Sequence, residues 1–174
     1  MNSASEYRAK LLSQFDDAMG KGFVTFPYGV EASNPINSTP FFADVRAFHS
    51  FSHVSERRKK LVSSLTKFLV ELQLNGLKPL TFMVGGSFLD FSVSNPRDLD
   101  CVIFYQQCES SVIGNTEWIS NTRRIAKVED LDVRLVPTDG DLIVLLRSVI
   151  YFSALYGASK NGKTSRGTIL IDCQ

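Results

Sequence analysis

Leu80 to Tyr105 read LTFMVGGSFLDFSVSNPRDLDCVIFY. The order of apolar and polar residues in that run predicts a strand, a glycine turn, a connector and a second strand. Leu80, Phe82, Met83 and Val84 stop abruptly at Gly85-Gly86-Ser87. A polar connector with Pro96 follows, and Asp98-Leu99-Asp100 opens the second apolar run, Cys101 to Tyr105. Alternation along a strand sets Asp98 and Asp100 on one face, with Leu99 and Cys101 on the other. Two carboxylates about 6–7 Å apart repel each other unless a cation sits between them. Ahead of them, Gly85, Gly86 and Ser87 offer backbone N–H groups and a hydroxyl that can approach phosphate oxygens closely. A divalent-cation site beside a phosphate cradle is the chemistry of nucleotidyl or phosphoryl transfer.

The rest of the chain bounds that reading. Its 174 residues suffice for one domain with a sizeable core. Hydrophobic and charged shares of 44% and 21% are ordinary for a globular protein. A net charge of +1 gives no field that would draw nucleic acid or an acidic membrane. The cysteines Cys101, Cys108 and Cys173 are odd in number and form no CxxC pair, which argues against a disulfide framework or structural zinc. A reducing cytoplasm is the expected location. The opening MNSASEYRAK lacks the apolar core of a signal peptide. The most apolar stretch, 142–156, is interrupted by Arg147 and Ser148 and is shorter than the ~20 residues a bilayer requires. No membrane span is expected.

Residues 1–20 have helical spacing of Tyr7, Leu11, Leu12, Phe15 and Met19. From Gly20 to His53, phenylalanines are scattered among Pro27, Pro35 and Pro40, which reads as an irregular segment pinned by its aromatics or used as a partner surface. Residues 1–53 are thus expected to pack on a body formed by 54–174. Ser55 starts a helix that stops near Asn75-Gly76, with Leu61, Leu65, Phe68, Leu69 and Leu72 on one face. Its first turns carry Arg57-Arg58-Lys59-Lys60, which oppose the helix dipole and are either a solvated face or a site for an anion. A second helix is predicted over 117–128, a strand over 131–136, and a helix from Leu142 to Leu155 that is apolar almost all round. Such a helix belongs in the core or against a partner. A glycine- and lysine-rich tail, 157–166, leads into a last strand, 168–173.

Taken singly, Gly-Gly-Ser and Asp-x-Asp are common. Together, in the order strand, Gly85-Gly86-Ser87, connector, Pro96-x-Asp98-x-Asp100, strand, they resemble the signature of the DNA-polymerase-beta-like nucleotidyltransferase superfamily. Within it, Gly-Ser-Phe followed by Asn95-Pro96-x-Asp98-Leu99-Asp100 is similar to a group of minimal nucleotidyltransferases of bacteria and phages. The likeness spans roughly residues 48–172, from Ser55 to Arg58 through the basic loop and final strand. Where members of that group often have Lys-Gly, this chain has Arg166-Gly167.

The resemblance implies an α/β nucleotidyltransferase fold, a small mixed sheet flanked by helices in a single domain. It implies that Asp98, Asp100 and, on a neighbouring strand, Asp132 are the catalytic carboxylates and hold Mg²⁺, with Mn²⁺ able to substitute. It places Gly85, Gly86, Ser87, Lys163 and Arg166 at the phosphates. The implied activity is transfer of a nucleoside monophosphate from an NTP, ATP first, to a hydroxyl of a protein, RNA or small molecule. A partner protein or homo-oligomer, as in toxin–antitoxin or phage-defence pairs, would supply what a minimal domain lacks. The rival expectation is a non-catalytic module that keeps the fold and acts by binding nucleotide or a partner through its aromatic segment or the 142–155 helix. Asp90, Glu129 and Asp130 are assigned to solvent. His49 and His53, four apart, lack a third ligand at zinc spacing, and Cys101 reads as a small buried residue.

Overall fold

Two helices, α1 (Ala4–Ser13) and α2 (Phe15–Gly20), lead to a short strand, β1 (Phe41–Asp44), and a short helix, α3 (Val45–His49). The chain continues as α4 (Glu56–Leu74), β2 (Leu77–Gly85), β3 (Leu99–Gln107), α5 (Thr116–Val128), β4 (Leu131–Pro137), α6 (Leu142–Gly157) and β5 (Ile169–Asp172). The structure is a computed structural model that describes residues 4–23, 38–108, 116–158 and 166–174. Its strands form one mixed sheet in the order β1-β5-β2-β3-β4. β2 runs antiparallel to both β3 and β5, whereas β3 and β4 are parallel, as are β1 and β5. The fold is therefore a single mixed α/β domain.

Local sequence explains the elements that frame the site. Ser55 caps α4, its hydroxyl accepting from the Arg58 N–H at 3.2 Å, and Gly76 at φ +80° ends it. The predicted stripe of Leu61, Leu65, Phe68 and Leu72 is buried against the sheet, each side chain stabilising the fold by about 1.5–3 kcal/mol. On the same face lie Phe82, Val84, Leu99, Cys101, Ile103, Leu131, Val133, Ile169 and Ile171. The other face presents Met83, Val102, Phe104 and Val136 to Leu145, Val149, Phe152 and Tyr156 of α6.

The Gly20–His53 segment is not simply irregular. Phe41–Asp44 is an edge strand, registered Phe41 to Ile169 and Asp44 to Asp172, and the Asp44 carboxylate then caps α3 through the Ala47 N–H at 2.7 Å. Phe23, Phe41, Phe48 and Phe51 are buried, as the packing alternative had it, Phe42 is half-buried, and Phe26 lies outside the described residues. Phe23 stacks on Phe51 with centroids 5.8 Å apart, and Phe48 meets Phe82 edge-on at 5.1 Å. Cys101 is fully buried, and burial raises its thiol pKa well above the ordinary range. His49 and His53 are both exposed. No helix among the described residues is long and apolar enough to cross a membrane.

Candidate functional site

Register brings the acids together. Gly85 at the end of β2 lies opposite Asp100 of β3, and Asp100 lies opposite Asp132 of the parallel neighbour β4. Registered residues on adjacent strands share a face, so Asp100 and Asp132 stand side by side on the α6 face of the sheet. Asp98, immediately ahead of β3, joins them. The Lys127 ammonium lies 3.4 Å from Asp132 Oδ2 and 3.9 Å from Asp98 Oδ2. Arg97 grips Asp98 Oδ2 from Nε and Nη2 at 3.1 and 2.9 Å, and Arg134 approaches Asp132 Oδ1 at 3.5 Å.

Asp100 differs from its neighbours. Among the described residues it makes no ion pair of its own, and its Oδ2 lies against the glycine turn. Burial, then the charges of Asp98 and Asp132, raise its pKa, with Lys127 and Arg97 pulling the other way. Gly86 has φ +69°, and a Cβ there would stand 2.7 Å from Asp100 Oδ2. At Gly85 a Cβ would fall 2.4 Å from the Tyr156 Cβ. Both glycines are thus required by packing alone, one to admit a carboxylate and the other to admit α6. Ser87 is half-buried on the 3₁₀ turn 86–89.

The connector between turn and aspartates is fixed by two arginines that the sequence offered as a solvated face or an anion site. Arg58 is instead 1% exposed. Its guanidinium donates to the carbonyls of Phe88, Asp90 and Val93 at 2.9, 2.7 and 3.0 Å and lies over the Phe91 ring. Burial lowers its pKa, with Asp90 opposing that effect. Arg57 donates to the Pro96 carbonyl at 2.9 Å, to the Arg97 carbonyl and to the Asp130 carboxylate at 3.0 Å. The acids assigned to solvent are likewise engaged. Asp90 accepts from the Ser92 N–H and hydroxyl and pairs with Arg166 at 2.7 Å, and its pKa is lowered, chiefly by the Ser92 hydroxyl. Asp130 pairs with Arg57, and Glu129, though exposed, accepts from the Ser64 hydroxyl at 3.2 Å.

Arg166 therefore reaches the end of the 86–89 turn through Asp90, whereas Lys163 lies outside the described residues. Sequence reasoning passed over Lys127, Arg97 and Tyr156. Lys127 was discoverable: a helix that joins two parallel strands delivers its last turn to the start of the second one, where Asp132 sits. Tyr156 is buried, and burial followed by nearby anionic groups raises its phenol pKa. A separate cavity of about 450 Å³ opens between α4 and α5, lined by Phe68, Trp118, Ile125 and Leu131. It lies on the opposite face of the sheet from the carboxylates.

Among the described residues, no group of three or more His, Cys, Asp and Glu side chains is gathered as a ready ion cage. Basic side chains brace Asp98 and Asp132 instead. The donor set nonetheless suits a hard divalent cation, being all carboxylate oxygen with an uncompensated acid at its centre.

No curated protein and no solved structure gives a significant match to the chain. One family profile does, over residues 24–172, which include all three aspartates and the glycine turn. The chain belongs to this family, DUF6932, a family of unknown function.

Proposed function

We propose that the protein is a metal-dependent nucleotidyltransferase that moves a nucleoside monophosphate from an NTP, ATP first, to a hydroxyl of a protein, RNA or small molecule. The observation that carries this reading is the in-register pairing of Gly85, Asp100 and Asp132 on three adjacent strands, with Asp98 tied to Asp132 through Lys127. A five-stranded mixed sheet with helices on both faces is compatible with the nucleotidyltransferase fold.

Asp98, Asp100 and Asp132 would hold Mg²⁺ or Mn²⁺, which supplies charge neutralisation at the triphosphate and lowers the pKa of the attacking hydroxyl. The backbone N–H groups of the 85–87 turn face the β- and γ-phosphates, and the Ser87 hydroxyl donates to them. Arg166, held by Asp90, stabilises the same oxygens. The acceptor oxygen attacks the α-phosphorus in line, forming a new P–O bond as the bond to the β-phosphate oxygen breaks and pyrophosphate departs. Asp132, on the rim, accepts the acceptor's proton. Lys127 then follows charge onto the polyphosphate, because a triphosphate competes well for an ammonium that is more than half exposed.

The rival reading, a non-catalytic module, is favoured by one observation: Arg97, Lys127 and Arg134 already neutralise two of the three acids. Incubation with labelled NTPs, Mg²⁺ or Mn²⁺ and a cell lysate separates the two. Label is expected on protein, RNA or a small acceptor with the wild type and is lost in Asp98→Ala/Asp100→Ala. Absence of label with every nucleotide and both metals leaves the module.

A further inference from the structure

Three positive charges touch the three acids. Arg97 lies 2.9 Å from Asp98, Arg134 lies 3.5 Å from Asp132, and Lys127 reaches both acids, at 3.9 and 3.4 Å. With all six side chains ionised, the cluster carries no net charge. At the end of the glycine turn, Asp90 faces both Arg166, at 2.7 Å, and the buried Arg58, which leaves a surplus of one positive charge there. A divalent cation arriving alone would add two charges to a cluster that is already balanced and has a positive neighbour. A cation arriving with a polyphosphate brings its own compensation and offers the displaced side chains an anion to meet.

Lys127 is the side chain placed to tell these two arrivals apart. Arg97 and Arg134 each pair with one acid, whereas the Lys127 ammonium lies between two, on Asp98 Oδ2 and Asp132 Oδ2. Those are oxygens that a metal ion shared by the two acids would need. Lys127 stands in the last turn of α5, where the helix dipole favours a cation, and its side chain is 56% exposed on a flexible four-carbon stem. It can therefore leave the carboxylates without leaving the surface. We propose, on the reading of these acids as a metal site, that Lys127 is a built-in stand-in for the metal. It resists a divalent cation offered alone and yields when the cation comes with a polyphosphate, to which the ammonium moves. Metal and nucleotide are thereby coupled ligands, each raising the affinity for the other.

Calorimetric titration of the full chain tests this with two probes, Mn²⁺ alone and preformed Mn²⁺ complex of an ATP analogue whose α,β-bridge is methylene. Lys127→Met should bind Mn²⁺ alone about 10-fold more tightly than the wild type, and the advantage of the complex over the bare ion should shrink by a similar factor. Lys127→Arg, which keeps the charge, should keep a preference for the complex. In chelator Lys127→Met should melt below the wild type, and Mn²⁺ alone should raise its midpoint by more. A side chain that merely braces the fold would lower the midpoint and leave the preference for the complex as it was. An Mn²⁺ affinity that is unchanged or weaker in Lys127→Met, but is lost in Asp98→Ala/Asp100→Ala, would overturn the role of Lys127 and leave the metal site standing. Binding that survives Asp98→Ala/Asp100→Ala, or that neither wild type nor Lys127→Met shows with either probe, would overturn both together.

Discussion

Helices α4 and α6 cover opposite faces of one sheet, and their compositions point the wrong way about their fates. α4, with sequence ERRKKLVSSLTKFLVELQL, is studded with charges yet buries Leu61, Val62, Leu65, Phe68 and Leu72, and even the guanidinium of Arg58. α6, LIVLLRSVIYFSALYG, holds one charge and buries Tyr156 alone. Burial follows the geometry of a stripe and the surface that meets it, whereas apolar content by itself does not. On α4 the apolar positions serve the protein's own core. Those facing outward on α6 are surplus to it, and only their inner row is used.

The sharpest way to break this contrast is to truncate one side chain on each helix. Leu65→Ala should cost about 2–5 kcal/mol, because it opens a cavity in a packed core, and Ile150→Ala should change stability by less than about 0.5 kcal/mol. Urea denaturation of the two variants checks both, and equal losses would mean that α6 is held as tightly as α4. A smaller effect is expected at the glycine turn, beside the carboxylates on the α6 face. Gly86→Ala places a side chain at φ +69° and against Asp100, which should cost about 1–2 kcal/mol from the backbone alone. Gly140→Ala, with open space around it, should be neutral in the same assay.

The smallest shift concerns the acids beneath α6. The Asp100 pKa is raised in the folded state, so the native protein retains a proton there at pH values where the unfolded chain has lost it. Stability from this group is therefore fully present below the unfolded value, about 3.9, and is lost as pH rises through the folded one. Asp100→Asn should accordingly melt above the wild type at pH 7 in chelator, and the gap should close near pH 4. A lower midpoint at pH 7 would make Asp100 a structural residue and not a strained one.

Much of this arrangement was legible in the chain. The strand–turn–strand unit follows from apolar runs cut by Gly85-Gly86, and α4 is bounded by its cap and its glycine within a residue of the expectation. Convergence of Asp132 on Asp98 and Asp100 was expected only through the resemblance to nucleotidyltransferases, which puts a third carboxylate on a neighbouring strand; the sequence pattern alone placed it on a face away from the core. β1 escaped notice because four residues between Pro40 and α3 carry little pattern, and the strand exists only through pairing with β5, well over a hundred residues away in sequence. Arg58 escaped because the carbonyls that justify burying it lie in the connector, where sequence gives no sign of missing donors. The exposure of α6 was hidden for a different reason: in a helix apolar on every side, no periodicity distinguishes the row that packs from the row that does not.

The order of the strands has a consequence for the three acids. β3 is laddered on both sides, by β2 and by β4, but β4 is the rim of the sheet and holds to β3 alone. Among the described residues, the Arg123 side chain donates to the Val133 carbonyl of β4 at 3.1 Å. The sheet frays from its two rim strands, β1 and β4, and fraying at β4 detaches Asp132 while Asp98 and Asp100 stay in place. The third carboxylate is in effect on a hinge-free latch, and amide exchange along Leu131–Pro137 reports how often the latch is open.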